Sequence, residues 1–361
     1  MLLANRFFRI CLGIIALLLI VYLTAKVSFL FQPLRMIFNI LIVPFALAGF
    51  FYYLLRPVMR YLVERRMNRL VAILFIYLAL GAILAAFSII VWPTLLKQID
   101  SFIAGAPGFI EDFRDQLMRL QNNRLFSIFV SNESGLTDRM SEYLNQAITS
   151  ASEYVTNVIA VVTSFVIVVT TAPFILYYML KQGEAIPTSV LHLVPRRYRK
   201  DGEEVLTDID SALSGFIIGR MIITFLLGVM MYIGFMLIGL PFALLVTVIS
   251  TILNIIPYIG PILGAIPCVI VAFTDSPSMV LWVLVVTIIA QQVEGNLLSP
   301  LIYGKRLEIH PLTTIILLLI AGEISGILGV ILALPFYMVI KIIVVRVYQL
   351  FFAEKVEELV E

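Results

Sequence analysis

Long runs of apolar residues dominate the chain, and shorter polar stretches separate them. The hydrocarbon core of a bilayer is about 30 Å thick and needs roughly 20 apolar residues per helix. The runs have that length, and they lack the period of two residues that the strands of a transmembrane barrel require. The pattern therefore predicts helical membrane spans at 10–31, 36–55, 70–92, 155–180, 212–239, 279–298 and 324–345.

Two further apolar runs have lengths that do not suit a simple crossing. The run 241–273 is too long for one helix and too short for two, and Pro257 and Pro261 interrupt it. The run 311–322 is too short to cross alone. We therefore predict broken or re-entrant helices near 257–261 and 311–325. Irregular backbone is tolerated at membrane depth only inside protein or beside a wet cavity, so these breaks indicate the functional core.

The composition agrees with a membrane protein. Hydrophobic residues make up 61% of the 361 positions and charged residues 13%, whereas soluble proteins have about 45–50% and about 25%. A soluble globular domain or a disordered chain could not cover so much apolar surface. The predicted fold class is an all-α polytopic membrane protein with broken or re-entrant helices near 257–261 and 311–325 and with an external amphipathic helical region.

Charge and motifs exclude several function classes. The net charge of +2 gives no reason to expect nucleic acid as a partner. Cys11 and Cys268 lie in apolar runs and suit small buried side chains, and two histidines cannot build a His/Cys metal cluster. The chain has no nucleotide-binding G-x-x-x-x-G-K-[ST] motif and no H-E-x-x-H or G-x-S-x-G motif. We expect no metal, no cofactor and no enzymatic activity.

The distribution of basic residues predicts the topology. The loop between the second and third spans carries five arginines, and the loop after 180 is also basic. Positive loops face the cytoplasm, which places both termini inside and 93–150 outside. Lys305 and Arg306 also lie inside if the run 241–273 enters and returns as a hairpin. The predicted division is N-terminal spans (1–92), an external region (93–154), a transport core (155–350) and an acidic cytoplasmic tail (351–361).

The external region carries apolar residues at helical spacing, first from Leu95 to Leu120 and again from Met140 to Ala151. Such stripes are typical of amphipathic helices that pack on one another or lie on the membrane surface. A subunit contact, or a cap over a pathway, is the alternative interpretation.

Polar side chains gather at the end of the 279–298 span, where Gln291, Gln292, Glu294 and Asn296 follow one another closely. Charge inside a membrane span is costly, so each such residue needs a reason. These oxygens are able to bind Na⁺, accept a proton or hold the hydroxyls of a small solute. The alternative is an interfacial helix end that places Glu294 at the level of the headgroups.

The remaining candidates lie beside the two breaks and in the 212–239 span. Asn254 and Tyr258 flank the first break, where an Asn side chain and freed carbonyls are able to bind a solute or an ion. Arg220 needs a carboxylate partner, and both Glu294 and Glu323 are candidates. The predicted helix-break positions are Pro257, Gly260, Pro261 and Pro300.

Four separate motifs occur in order along the chain. They are N-I-I-P-Y-I-G-P at 254–261, E-G-N-L-L-S-P-L-I-Y-G at 294–304, H-P-L at 310–312 and G-I-L-G at 326–329 with Pro335. This set resembles the AI-2E family of bacterial transporters, which includes the PerM-like permeases. The resemblance implies an inner-membrane protein of roughly eight spans that forms homo-oligomers. It also implies either export of the signal autoinducer-2 or Na⁺(Li⁺)/H⁺ antiport, since both activities are associated with members.

Two classes of function follow. The first is a secondary transporter that exports a small polar solute such as autoinducer-2, or that exchanges a monovalent cation for protons across the lipid bilayer. The second is a non-transporting membrane scaffold, which the external region and the acidic tail would serve. The oxygens beside the helix breaks favour transport, because a scaffold does not need them.

Overall fold

The structure is a computed structural model that describes residues 28–102, 170–183, 186–304 and 309–350, with single positions between 13 and 26 and between 104 and 168. Within these ranges the regular elements are helices, which confirms the all-α class. They are α1 (Ser28–Glu64), α2 (Arg69–Ile90), α3 (170–182), α4 (Ile186–Leu193), α5 (Arg199–Leu237), α6 (Ala243–Leu253), α7 (Ile259–Asp275), α8 (Pro277–Val293), α9 (Ser299–Tyr303) and α10 (Pro311–Tyr348).

Five stretches of the described residues are long and apolar enough to cross a bilayer. Large apolar side chains cover their outer surfaces; Leu237, for example, is 82% exposed. Such a surface suits lipid and not water, so the protein is a multi-pass membrane protein. The predicted span 10–31 and most of 155–180 lie outside the described residues. The five stretches are Ile40–Glu64, Arg69–Phe102, Arg196–Leu237, Pro277–Tyr303 and Gly329–Tyr348.

The first three helices pack into an N-terminal bundle. Small and medium apolar side chains fill its core, among them Ala48 of α1, Ala72 of α2 and Leu176 of α3. The side chain of Asn68 accepts a hydrogen bond from the backbone of Leu70 and so starts α2. After a turn at 91 the helical chain continues to 102, beyond the predicted end of the span at 92. The rest of the predicted external region lies outside the described residues.

A second core joins α5 to α8. Leu227, Phe235, Cys268 and Val283 are fully buried in it. Cys268 therefore packs as the small apolar side chain that its position predicts, while Cys11 lies outside the described residues. Together with Val246 of α6, these side chains hold four helices around one apolar centre.

Helices α5 and α8 are antiparallel. At the C-terminal end of α5, Gly234 lies against Val286. In the middle of α5, Gly219 lies against Tyr303, which follows α8 in the chain. The two glycines allow the close approach along this interface.

The predicted first break is confirmed as a hairpin between α6 and α7. The chain reverses at 254–258, where the backbone N–H of Ile259 donates to the carbonyl of Pro257 at 2.8 Å. Tyr258 between them has φ 64° and ψ −47°, a strained γ-turn. Pro261 follows the reversal and lies in the first turn of α7, where a missing N–H costs nothing.

The predicted second break is also confirmed, and it divides α10. Ser325 and Gly326 have non-helical dihedral angles, with φ 61° at Gly326. The limbs on either side are Pro311–Gly326 and Gly329–Tyr348. A Cβ on Gly329 would collide with the carbonyl of Ala321 in the opposite limb, so the chain turns back tightly here.

A short π-helical segment, Glu294–Leu298, joins α8 to α9. Its wider turn ends with the Ser299 N–H donating to the carbonyl of Glu294. Pro300 follows at the start of α9, where the ring would otherwise clash with the preceding turn. The predicted break at Pro300 is therefore wrong: the helix continues from Pro277 to Tyr303, and the π turn accommodates the proline.

Candidate functional site

A buried ion pair joins α5 to the π segment that follows α8. Arg220 projects from the middle of α5, and Glu294 is the first residue of the π segment. Arg220 Nη1 donates to Glu294 Oε1 at 3.0 Å, and the two residues are only 7% and 8% exposed. Of the two predicted partners of Arg220, the structure selects Glu294.

The same guanidinium also closes the end of α6. Arg220 Nη2 donates to the backbone carbonyl of Asn254, and Arg220 Nε donates to that of Ile255 at 3.3 Å. These carbonyls are free because the helix ends at the hairpin turn, and they carry the negative end of the helix dipole. The Asn254 side chain completes the cluster by donating from Nδ2 to Glu294 Oε2 at 3.5 Å. One cation thus holds together the carboxylate and the hairpin turn.

This arrangement is electrically neutral. Taking two charges out of water is expensive, and close pairing with further hydrogen bonds offsets most of that cost. Within the described residues Glu294 is the only buried carboxylate and Arg220 the only buried guanidinium. Each of them therefore depends on the other for its place inside the protein.

A cavity of about 410 Å³ opens beside the cluster. Its volume falls in the range of small-molecule sites, about 300–1,000 Å³. The walls combine polar side chains with aromatic and aliphatic ones. They come from α5, the hairpin turn, α7, α8, the π segment, α9 and α10. The lining residues are Phe216, Arg220, Pro257, Tyr258, Pro261, Gln291, Glu294, Gly295, Ser299, Tyr303, Ile309, Thr314 and Leu334.

The predicted site residues divide between this cavity and the outer surface. Arg220, Tyr258, Gln291 and Glu294 line the cavity, and Asn254 is buried behind them. Pro257 and Pro261 also line it, whereas Gly260 is buried at the start of α7 and Pro300 is exposed on α9.

Three predicted residues do not face the cavity. Gln292 and Asn296 are exposed, and the amide of Asn296 donates to that of Gln292 at 2.5 Å. Glu323 is exposed on α10 just before the break. Gln292 and Asn296 do share one helix face, as their i,i+4 spacing predicts. That face is the outer one, where the two amides hydrogen-bond to each other.

Sequence reasoning missed Tyr303, Ser299 and Thr314 as cavity residues. The Tyr303 ring stacks on Phe216 with 6.5 Å between the ring centroids, and it lies against Gly219. Glycines near Arg220 on α5 were the available signal, since a glycine leaves room for a bulky partner. The π segment was not predictable either, although such segments are frequent at functional sites. No three His, Cys, Asp or Glu side chains of the described ranges gather as metal ligands.

Comparison with known proteins identifies the family. The profile of the AI-2E family transporter matches residues 12–349. YueF of Bacillus subtilis (strain 168), which carries the provisional name of a transport protein, is 37% identical over 343 residues, covering 94% of this chain and 93% of YueF. YrrI of the same organism, provisionally named in the same way, is 32% identical over 91% of this chain and 93% of its own. PerM of Escherichia coli (strain K12), provisionally named a permease, is 26% identical over 84% of this chain and 90% of PerM. The resemblance seen in the motifs is thereby confirmed, and the chain belongs to the AI-2E family of transporters.

Proposed function

We propose that this transporter exports a small polar solute such as autoinducer-2, and that the solute binds in the cavity beside Arg220 and Glu294. The observation that carries the proposal is the neutral ion pair in the cavity wall, at the point where the α6–α7 turn meets the π segment. Broken helices and their unpaired backbone groups at such a point are typical of substrate sites in secondary transporters.

The chemistry of the cavity wall suits an uncharged solute with several hydroxyl groups. Arg220, Gln291, Ser299 and Tyr303 offer donors, and Glu294 offers carboxylate oxygens. A cationic solute would be repelled by the Arg220 guanidinium, which already binds the carbonyls at the end of α6. An anionic solute would be repelled by the Glu294 carboxylate. A neutral, polyhydroxylated molecule avoids both conflicts.

The expected placement in the cell is the inner membrane, with both termini in the cytoplasm and the protein assembled as a homo-oligomer. The support is the basic loop before α2 and the basic stretch before α5, both of which face the cytoplasm under the positive-inside rule. In that orientation the cavity lies toward the cytoplasmic side of Arg220, since Phe216 precedes Arg220 on α5.

Na⁺(Li⁺)/H⁺ antiport is the second candidate. The observation in its favour is that Glu294 is the only buried carboxylate among the described residues, and an antiporter needs a carboxylate that changes its protonation. The close contact with Arg220 weighs against it, because the guanidinium already occupies the carboxylate oxygen that a cation would need.

Proteoliposomes that contain the purified full chain test these proposals. Uptake of a panel of labelled polar solutes, autoinducer-2 included, is followed with and without imposed pH and Na⁺ gradients. Glu294→Gln is expected to abolish flux, and Glu323→Gln serves as the matched control because Glu323 is exposed and outside the cavity. Flux of a neutral solute supports the first proposal.

Each remaining outcome contradicts a specific proposal. A pH-dye response to Na⁺ or Li⁺ that Glu294→Gln removes, without solute flux, supports antiport instead. If alanine at Glu294 and at Asn296 is harmless in cells while deletion of 93–150 is not, the scaffold hypothesis replaces both.

A further inference from the structure

Arginine side chains line a second cavity, at the end of the N-terminal bundle where α1 stops and α2 begins. Its volume is about 330 Å³, within the range of small-molecule sites. No described residue lines both this arginine cavity and the cavity beside Arg220. The wall of the arginine cavity comes from α1, the first residue of α2 and the end of α3, and its residues are Tyr52, Arg56, Met59, Arg60, Val63, Glu64, Arg69, Met179 and Leu180.

Positive charge predominates in this wall, which has three guanidinium groups and one carboxylate, that of Glu64. Arg56 contacts Asp210 of α5 at 2.6 Å. Arg69 donates to the backbone carbonyl of Lys181 at 3.4 Å. The wall is therefore positive even when Asp210 is counted with it. Such a cavity favours an anion over a cation or a neutral molecule.

Arg60 has neither an ion pair nor a hydrogen bond among the residues that the structure describes. A smaller cavity of about 210 Å³ adjoins the arginine cavity, and Arg56, Arg60 and Glu64 line both. The Arg60 guanidinium therefore borders open space at the contact between α1 and α5. Its planar fork of donors matches the oxygens of a phosphate group, which it is able to bind through two hydrogen bonds.

The level of the arginine cavity in the membrane favours a lipid as the source of the phosphate. The membrane-spanning stretch of α1 ends at Glu64, and Arg60 lies one turn before that end. Lipid headgroups lie at the two ends of a membrane span. Met59 and Leu180 add apolar wall, and the neighbouring Val58 is 45% exposed on the outer surface. A free phosphate ion would leave this apolar surface uncovered, whereas the glycerol backbone and acyl chains of a lipid would cover it.

We propose that the arginine cavity binds the headgroup of an anionic phospholipid, with the phosphate against Arg60 and Arg69. Basic pockets between membrane helices at the cytoplasmic side typically bind such headgroups, and the orientation proposed above places this end of α1 there. Glu64 shares a face of α1 with Arg60 at i,i+4 and accepts a hydrogen bond from a headgroup hydroxyl. Phosphatidylglycerol fits this wall, because it combines a phosphodiester with hydroxyl groups and carries no ammonium.

Titration of the purified full chain in a neutral detergent tests the proposal. Dihexanoylphosphatidylglycerol, dihexanoylphosphatidylcholine and inorganic phosphate are added separately, and the melting temperature is followed, because a ligand that binds only the folded protein raises it. We expect a saturable rise with phosphatidylglycerol alone. Arg60→Gln is expected to weaken the apparent affinity about tenfold, the effect of losing a charge-assisted hydrogen bond.

Arg65→Gln is the matched control, because it removes the same charge from the same end of α1. The Arg65 guanidinium lies 4.8 Å from the centroid of the Tyr61 ring and lines neither cavity. This variant should keep the affinity of the parent. Without lipid, Arg60→Gln should melt at the parent temperature, since Arg60 is exposed and bonds to no described residue.

Three outcomes would overturn the proposal. Equal loss of affinity in the two variants would mean that the lipid responds to the general charge of the surface. A rise of the same size with inorganic phosphate would assign the cavity to a free anion. A rise of the same size with phosphatidylcholine would show that the negative charge of the headgroup plays no part.

Discussion

At the scale of single residues, Arg220 organises the site. Its guanidinium contacts Glu294 in the π segment and the carbonyls of Asn254 and Ile255 at the end of α6. A planar guanidinium has five donors, and lysine could not reach these three acceptors in the same way. The charge in the cavity wall is therefore also what ties the hairpin turn to the π segment.

Disruption of this pair by one substitution is expected to be far more damaging than replacement of both residues. Arg220→Met and Glu294→Gln each leave one buried charge unpaired, which costs about 3–5 kcal/mol. The double variant has neither charge, and we expect its loss of stability to be smaller than the sum of the two by roughly 1–3 kcal/mol. Thermal unfolding in detergent measures the difference. Additive losses would show that the two side chains do not stabilise each other.

At the scale of elements, close packing of the hairpin limbs positions the site. Gly260, at the start of α7, faces the backbone of Leu253 and Asn254 with no room for a Cβ. Any side chain there would push α7 away from the end of α6 and displace the carbonyls that Arg220 binds. The glycine is thus required by the close approach of two backbones.

Gly260→Ala is expected to destabilise the protein by a few kcal/mol, roughly as overpacking in a core does. Gly215→Ala on α5 is the matched control, because nothing lies within 4 Å of its Cβ position. In that helix interior alanine is expected to be neutral or to stabilise by about 0.5–1 kcal/mol. The melting temperatures of the two variants are compared, and that of Gly260→Ala should be the lower. Equal values would mean that the hairpin limbs separate without cost.

The π segment is the second element that shapes the cavity. Its extra residue rotates α9 about the helix axis, so that Tyr303 contacts Phe216 and Gly219. Glu294, the first residue of the segment, points inward. A regular α-helix through the same residues would turn α9 by about 100° relative to α8, the rotation of one residue. The orientation of Tyr303 in the cavity wall depends on this irregularity.

Deletion of Leu297, an exposed residue of the π segment, is expected to remove the π turn, leave Pro300 against the preceding turn and abolish solute flux. The level of protein in the membrane should stay close to that of the parent, because the span remains long and apolar. Leu297→Ala keeps the chain length and is the control, with flux retained. Transport that survives the deletion would show that the cavity wall tolerates a rotated α9.

At the scale of the whole molecule, ion pairs at the N-terminal half of α5 connect the bundle and the core. Arg56 of α1 contacts Asp210 at 2.6 Å. Arg346 near the end of α10 contacts Asp201 at 3.2 Å and also Glu204. One stretch of α5 therefore contacts both α1 and α10, so that movement of α5 would strain its ion pairs with both helices.

Asp210→Asn is expected to lower stability by about 1–3 kcal/mol, because it leaves the partly buried Arg56 without its carboxylate partner. Asp208→Asn, two residues away and exposed, should change stability by less than about 0.5 kcal/mol. Thermal unfolding at low and high salt compares them. A loss of equal size in both variants would mean that the general charge of α5 matters and the contact with Arg56 does not.

Much of the fold follows from local features of the chain. Run lengths predicted the helices and both breaks, and Pro257 indicated the position of the first break, because a missing N–H acts within one turn. The same local reasoning found Arg220, Glu294, Asn254 and Gln291, since a polar residue inside an apolar run is visible without any structure.

The sequence by itself thus determined which segments enter the membrane, where they break and which polar residues they carry. Only the tertiary structure decided that Arg220 pairs with Glu294 and not with Glu323, that Gln292 and Asn296 face outward, and that Tyr303 lines the cavity. The physical reason is that lipid-facing and protein-facing surfaces of these helices are equally apolar. Side-chain composition therefore carries no signal for which face packs inward, and a single π turn is enough to redirect every residue after it.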